Sequence, residues 1–219
     1  GPTDAHAQSA ERGAHAPAAP QQQGTWSAQS SGVAQTLRAV CFADEENGWA
    51  VGGESEGDVV IVHTDNGGRK WQKQSSPVAQ RLYAVSFWDA RHGWAGGDGG
   101  AMLRTIDGGQ SWHAQDSGST STIVGLAATG PESALAAVRS GHIRRTTDGG
   151  ANWVRMQGTA GIGLFAISFP DASNGWVSGS QGLIALESLG LTRQMLEGVQ
   201  RFAASPNGMM IVAGPTGHG

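Results

Sequence analysis

Short apolar runs separated by polar turns set the rhythm of this chain. LRAVCF spans Leu37–Phe42, the polar loop ADEEN follows, and GWAVGG from Gly48 is apolar again. DVVIVHT then ends in the turn DNGG, and Trp71 opens the next short segment. Runs this brief, closed by Gly, Asn and Asp, predict β-strands joined by tight turns. Helical spacing is scarce: the best candidate, SLGLTRQMLEGVQRF (188–202), is interrupted by glycines. No apolar run approaches the ~18 residues that a spanning helix needs, so the chain is not expected to cross a membrane.

The pattern repeats. Trp71, Trp112 and Trp153 are spaced 41 and 41 residues apart, in HTDNGGRKW, RTIDGGQSW and RTTDGGANW. Ahead of them, LRAVCFADEENGWAVGG, LYAVSFWDARHGWAGGD and LFAISFPDASNGWVSGS begin at Leu37, Leu82 and Leu164. IVGLAATGPESALAAVRSG, from Ile123, has Leu135 in place of the tryptophan, and a shortened copy, VQRFAASPNGMMIVAGPTG, starts near Val199. Four short antiparallel strands in a unit of about 40 residues predict a β-propeller blade. TWSAQSSG (25–32) matches SWHAQDSG (111–118), so the domain is expected to open with the last strand of a unit. Pairing that strand with the final unit would close a ring and remove open sheet edges, which a solenoid does not do.

Composition sharpens this in three ways. The 35 glycines alternate with apolar runs, which suits turns rather than disorder, and the net charge of −4 argues against nucleic acid. The single cysteine, Cys41, lies in an apolar run and reads as a buried thiol rather than a nucleophile. Residues 1–24 are Ala, Gln, Pro and Gly with almost nothing to bury, so a disordered leader is expected, followed by a propeller domain over 25–219. Gly1-Pro2 reads as a tag scar, an Ala/Gln/Pro-rich start suits an exported chain, and His6 and His15 read as solvated.

TIDGGQSW and TTDGGANW fit the Asp-box form Ser/Thr-x-Asp-x-Gly-x-x-Trp. With GWAxGG ahead of the box, the unit resembles the photosystem II assembly and stability factor family, which has relatives in non-photosynthetic bacteria. The resemblance covers roughly 25–219. It implies an all-β propeller with Asp-box turns and a non-catalytic scaffold that binds a subunit of a membrane complex. It also implies an exported location, periplasmic or, in a photosynthetic source, lumenal. Such propellers have seven blades, whereas this chain carries four complete units and pieces of a fifth. Asn66 replaces the first box aspartate, and the fourth unit, IALESLGLTRQM, has no box. A fragment, a reduced ring and a half-ring that works as an oligomer through open edges all fit.

The box residues are Thr64, Asn66, Gly68 and Trp71; Thr105, Asp107, Gly109 and Trp112; Thr146, Asp148, Gly150 and Trp153. Asp and Asn side chains accept bonds from turn amides, glycine permits positive φ, and tryptophan fills the space between sheets. These needs recur in every unit, whereas catalysis needs one site, so a structural role is expected and no calcium or other cofactor. The acids Asp44, Glu45, Asp89 and Asp171 occupy loops of different units, and the only tyrosine, Tyr83, sits in an apolar strand. A glycosidase needs converging carboxylates, so a carbohydrate-active propeller is the lesser reading and no enzyme is expected. His63, His92, His113 and His142 show no metal spacing. Arg38, Arg81, Arg104, Arg144 and Arg145, with Trp88, are the expected partner-binding residues, because arginine grips carboxylates in a fork geometry. Arg69 and Arg91 fall in turns.

Overall fold

A computed structural model of the chain describes residues 25–156, 162–169 and 174–188. Blade I comprises β1 (Leu37–Phe42), β2 (Asn47–Gly53), β3 (Val59–Asp65) and β4 (Gln72–Gln74). Blade II comprises β5 (Leu82–Phe87), β6 (Gly93–Gly97), β7 (Ala101–Thr105) and β8 (His113–Asp116). Blade III is built from β9 (Ile123–Ala128), β10 (Ala134–Val138), β11 (His142–Thr146) and β12 (Val154–Met156). Blade IV has three described strands, β13 (Leu164–Ser168), β14 (Asn174–Gly179) and β15 (Ile184–Ser188). Each sheet is a meander in chain order, antiparallel throughout. These are the propeller blades that the repeat predicts. The leader, the fifth unit and nearly all of the helix candidate lie outside the described residues.

The first strands stand side by side, β1 next to β5, β5 next to β9 and β9 next to β13, so they line the inside of the arc. Between blades I and II, Trp49, Val51 and Ile61 interlock with Leu82, Val85, Phe87, Leu103 and Trp112. The next layer joins Trp94 and Met102 to Ile123, Leu126 and Trp153. The third joins Leu135, Ala137 and Ile143 to Leu164, Val177 and Leu183. The repeated tryptophan of GWAxGG is therefore the plug of the first two interfaces, where Trp49 and Trp94 are fully buried, and Leu135 takes its place in the third.

The glycine ahead of that tryptophan has its own reason. Gly48 pairs with Phe42 and Gly93 with Phe87, and the phenyl ring lies across the glycine backbone. A Cβ on Gly93 would sit 2.5 Å from the Phe87 ring. The ring can then stack flat on Trp49 of the neighbouring blade, with centroids 3.5 Å apart and planes 8° from parallel.

The opening stretch departs from expectation in one respect. Residues 25–36 carry no strand, and Trp26 is fully exposed. The partner expected for it is the fifth unit, outside the described residues. Its position nevertheless follows the repeat. The Gln29 carboxamide lies against Gly68 as Gln74 lies against Gly109 and Gln115 against Gly150. Ser31 Oγ accepts from Val33 N–H, as Ser76 does from Val78 and Ser117 from Ser119. The segment lies where an outer strand belongs, without a ladder to hold it.

Candidate functional site

Each box closes on itself by hydrogen bonds. Thr105 Oγ1 donates to Asp107 Oδ1 (2.8 Å) and accepts from Gly109 N–H (2.8 Å), while Ser111 gives Asp107 its amide (2.9 Å) and hydroxyl (2.6 Å). Gly109 adopts φ 86°, the left-handed region that glycine enters freely. Thr146, Asp148 and Gly150 repeat the pattern with Asn152 as donor. Asn66 does the same work, accepting from Thr64 Oγ1 (3.0 Å) and Lys70 N–H (2.9 Å). Partial desolvation pushes the Asp107 carboxyl up, but the donors from Ser111, Thr105 and Gly109 outweigh it and hold it down at about 2. Donors from Asn152 and Thr146 bring Asp148 to about 2 as well.

The boxes also join blades. Gly108 O accepts from the Trp49 indole (3.0 Å) and from Gln74 Nε2 (2.9 Å), and Gln74 Oε1 accepts from the Trp112 indole (3.0 Å). Blade III repeats this joint through Gln115, Gly149 and Trp153. There Arg104 takes the place of the incoming indole. It donates to Gly149 O (2.9 Å) and Pro131 O (3.1 Å), pairs with Glu132 (3.0 Å) and lies over the Trp94 ring. Arg144 donates to Trp153 O (3.2 Å) and to Gly118 O. Each guanidinium thus reaches a backbone carbonyl of a neighbouring blade, Arg104 that of Gly149 and Arg144 that of Gly118. Arg145 sits half-buried on β11, and Trp88, half-exposed, lies on the β5–β6 loop.

Arg38 and Arg81 do come together. Arg38, Tyr83, Val124 and Phe165 are each the second residue of their unit, so all four project from first strands on the inner side of the arc. With Thr36, Leu37 and Arg139 they line a cleft of about 340 Å³. Three guanidiniums surround the Tyr83 ring: Arg38 at 5.0 Å from the ring centre, Arg81 at 5.9 Å and Arg139 at 6.0 Å. Arg81 is neutralised by Asp98 (2.7 Å), whose bond to it favours the charged guanidinium and raises its pKa. Asp98 also accepts from Thr122 (3.1 Å). Arg38 spends only Nε, on Gly53 O (3.1 Å), and the Arg139 side chain has no hydrogen-bond partner among the described residues. Two cationic forks thus remain available beside a phenol, with Phe165, more than half exposed, at the far wall. At its edge, the Glu54 carboxylate accepts from Thr36 (2.8 Å), and the Glu54 carbonyl accepts from Arg81 (3.3 Å).

Sequence reading missed Arg139 and undervalued Tyr83. Arg139 holds the repeat position of Asp98, immediately after the second strand, and nothing local marks it as inward-facing. Tyr83 was recoverable from its alignment with Arg38. Among the described acids, Asp44 accepts from the amides of Glu46 (2.8 Å) and Asn47 (2.7 Å), and Asp89 from those of Arg91 (2.7 Å) and His92 (2.7 Å). Each is spent on its own turn. Asp171 lies outside the described residues.

The family profile described as "Photosynthesis system II assembly factor YCF48" matches residues 18–163. The chain belongs to this YCF48 family. A solved structure of YCF48 bound to a D1 peptide is 27% identical, covering 72% of this chain and 51% of its own, with a TM-score of 0.60. YCF48 from Cyanidioschyzon merolae is 24% identical, covering 70% of this chain and 50% of its own, at a TM-score of 0.59. The GH74 enzyme of Niastella koreensis, at 17% identity, covers 67% of this chain and 26% of its own, with a TM-score of 0.56, a likeness of fold alone. The chain spans about half the length of the two YCF48 structures. No curated protein matches it. Among the described residues no helix is long and apolar enough to cross a membrane.

Proposed function

We propose that the chain is a non-catalytic scaffold that binds a protein subunit of a membrane complex during its assembly. It takes an acidic segment of that subunit at the cleft between Arg38, Tyr83 and Arg139. The observation that carries this reading is the pair of guanidiniums with unused donors beside Tyr83, on the inner face of the arc. Membership of the YCF48 family supports it, as does the YCF48 structure holding a D1 peptide. The work is done in an exported compartment, periplasm or lumen. A charge-assisted fork to a carboxylate contributes about 1.5–3 kcal/mol when partly desolvated, enough to orient a peptide that gains the rest of its affinity from apolar contacts.

Binding of an acidic, fluorescently labelled peptide tests the proposal. Arg38→Gln and Arg139→Gln should each weaken binding about tenfold, corresponding to about 1.4 kcal/mol. Both should flatten its dependence on salt. Arg145→Gln should leave it unchanged. Equal binding by wild type and the Arg38→Gln/Arg139→Gln double variant would sink the proposal.

A further inference from the structure

One repeat position at the rim of the cleft is left free by the fold. Gly53, Asp98, Arg139 and Ser180 hold it in blades I to IV, at the end of the second strand. In each blade the backbone N–H at this position donates to the carbonyl of the residue preceding the first strand, at 3.0, 3.0, 2.9 and 2.8 Å in turn. Main chain alone closes the joint, so glycine, aspartate, arginine and serine all serve there. Whatever side chain stands at this position is available to the cleft.

Asp98 uses this freedom in a particular way. Its Oδ2 accepts from Arg81 Nε at 2.7 Å and its Oδ1 from the Thr122 hydroxyl at 3.1 Å. Both oxygens are spent, and the carboxylate is held between blades II and III. Three guanidiniums surround the Tyr83 ring, and among the described residues only that of Arg81 is paired with a carboxylate. Asp98 thus occupies, from within the chain, the place that a carboxylate of a bound guest would take on Arg81. The Glu54 carboxylate, held by Thr36 at the edge (2.8 Å), adds a second negative charge on the same side.

We propose that Asp98 is the specificity-determining residue of the cleft: by spending Arg81 it fits the site to a guest with a single carboxylate and turns away closely spaced acidic runs. This deepens the function proposed above and rests on that reading. Arg38 and Arg139 suffice for one carboxylate, which a guanidinium fork grips well. A neighbouring second carboxylate finds Arg81 already taken and Asp98 repelling it. Selectivity comes from an unfavourable contact built against the wrong guest as much as from a favourable one for the right guest. At physiological salt such repulsion fades beyond ~8 Å, so it is confined to the cleft.

Two labelled peptides that differ only in carrying a single aspartate or a run of three are titrated against the whole chain and its variants. The wild type should bind the two within about threefold of each other. Asp98→Asn frees Arg81 and should tighten the triacidic peptide about tenfold, while the monoacidic one changes by less than about threefold. That gain should vanish in Arg81→Gln/Asp98→Asn, because it runs through Arg81. Asparagine keeps an acceptor for Thr122; should Asp98→Asn still fail to fold, Asp98→Ser, which installs the side chain that blade IV carries at this position, replaces it. A gain that is equal for both peptides, or that persists without Arg81, overturns the proposal. So does a folded Asp98→Asn that binds both peptides no better, or a wild type that already prefers the triacidic peptide tenfold. Failure of the underlying reading looks different: wild-type binding of both peptides would then be indifferent to Arg38→Gln/Arg139→Gln, and this proposal would fall with it.

Discussion

At the scale of single residues, the box is a turn whose aspartate is replaceable by its amide. Asn66 accepts the same two kinds of donor as Asp107 and Asp148, so the geometry requires an acceptor and not a charge. The charge leaves a trace in the acid stability. Asp107 drops from an ordinary 3.8 to about 2 on folding. A depressed carboxyl adds stability that is complete above the unfolded value and is lost as pH falls from about 4 towards 2. Urea midpoints measured down a pH series should therefore be flat near neutrality and decline below about pH 4. In Asp107→Asn the decline should be shallower, with the neutral midpoint little changed. An equally steep decline in that variant would show that other carboxyls carry the effect. Trp49→Ala is the opposite kind of change. It empties a fully buried site, strips Phe87 of its stacking partner and leaves Gly108 O one donor short. A loss of about 3–5 kcal/mol is expected from chemical denaturation, as for other buried aromatics.

At the scale of elements, a blade is a meander whose inner strand faces the channel and whose outer strands hold its neighbour. Gly93 illustrates the tolerance: its place under the Phe87 ring leaves no room for a methyl group. Gly93→Ala must push that ring off Trp49, so a destabilisation of about 1–3 kcal/mol follows, typical of overpacking. Calorimetry of the variant checks it. The blades themselves were legible because the units solve the same packing problem with similar residues, and the box tryptophans Trp71, Trp112 and Trp153 recur every 41 residues. Even the outer-strand match at 25–32 was legible, since Gln29 lies against Gly68 as its counterparts do against their own box glycines. What could not be read was the fate of individual arginines. Arg38 and Arg104 look alike in sequence, but the carbonyl that claims Arg104 belongs to Gly149, 45 residues away on the next blade. A short-range pattern cannot say which cation has been spent across an interface. Arg139 was missed for the converse reason, because it stands where blade II places an aspartate.

At the scale of the whole molecule, blades II and III are sealed on both faces by the described residues, and blades I and IV on one. Blade II lies between Trp49 on one side and Ile123 and Leu126 on the other, whereas the outer side of blade I leaves Val40 and Phe42 in water. Amide exchange reports such differences, because strands opened by local fluctuation exchange before the core does. The amides of β6 and β7 should therefore exchange slowly at any protein concentration. Those of β1 should exchange faster, because Val40 and Phe42 lie in water on the outer side of that strand. Exchange in β1 as slow as that in β6 and β7 would show that this edge is covered as the inner interfaces are.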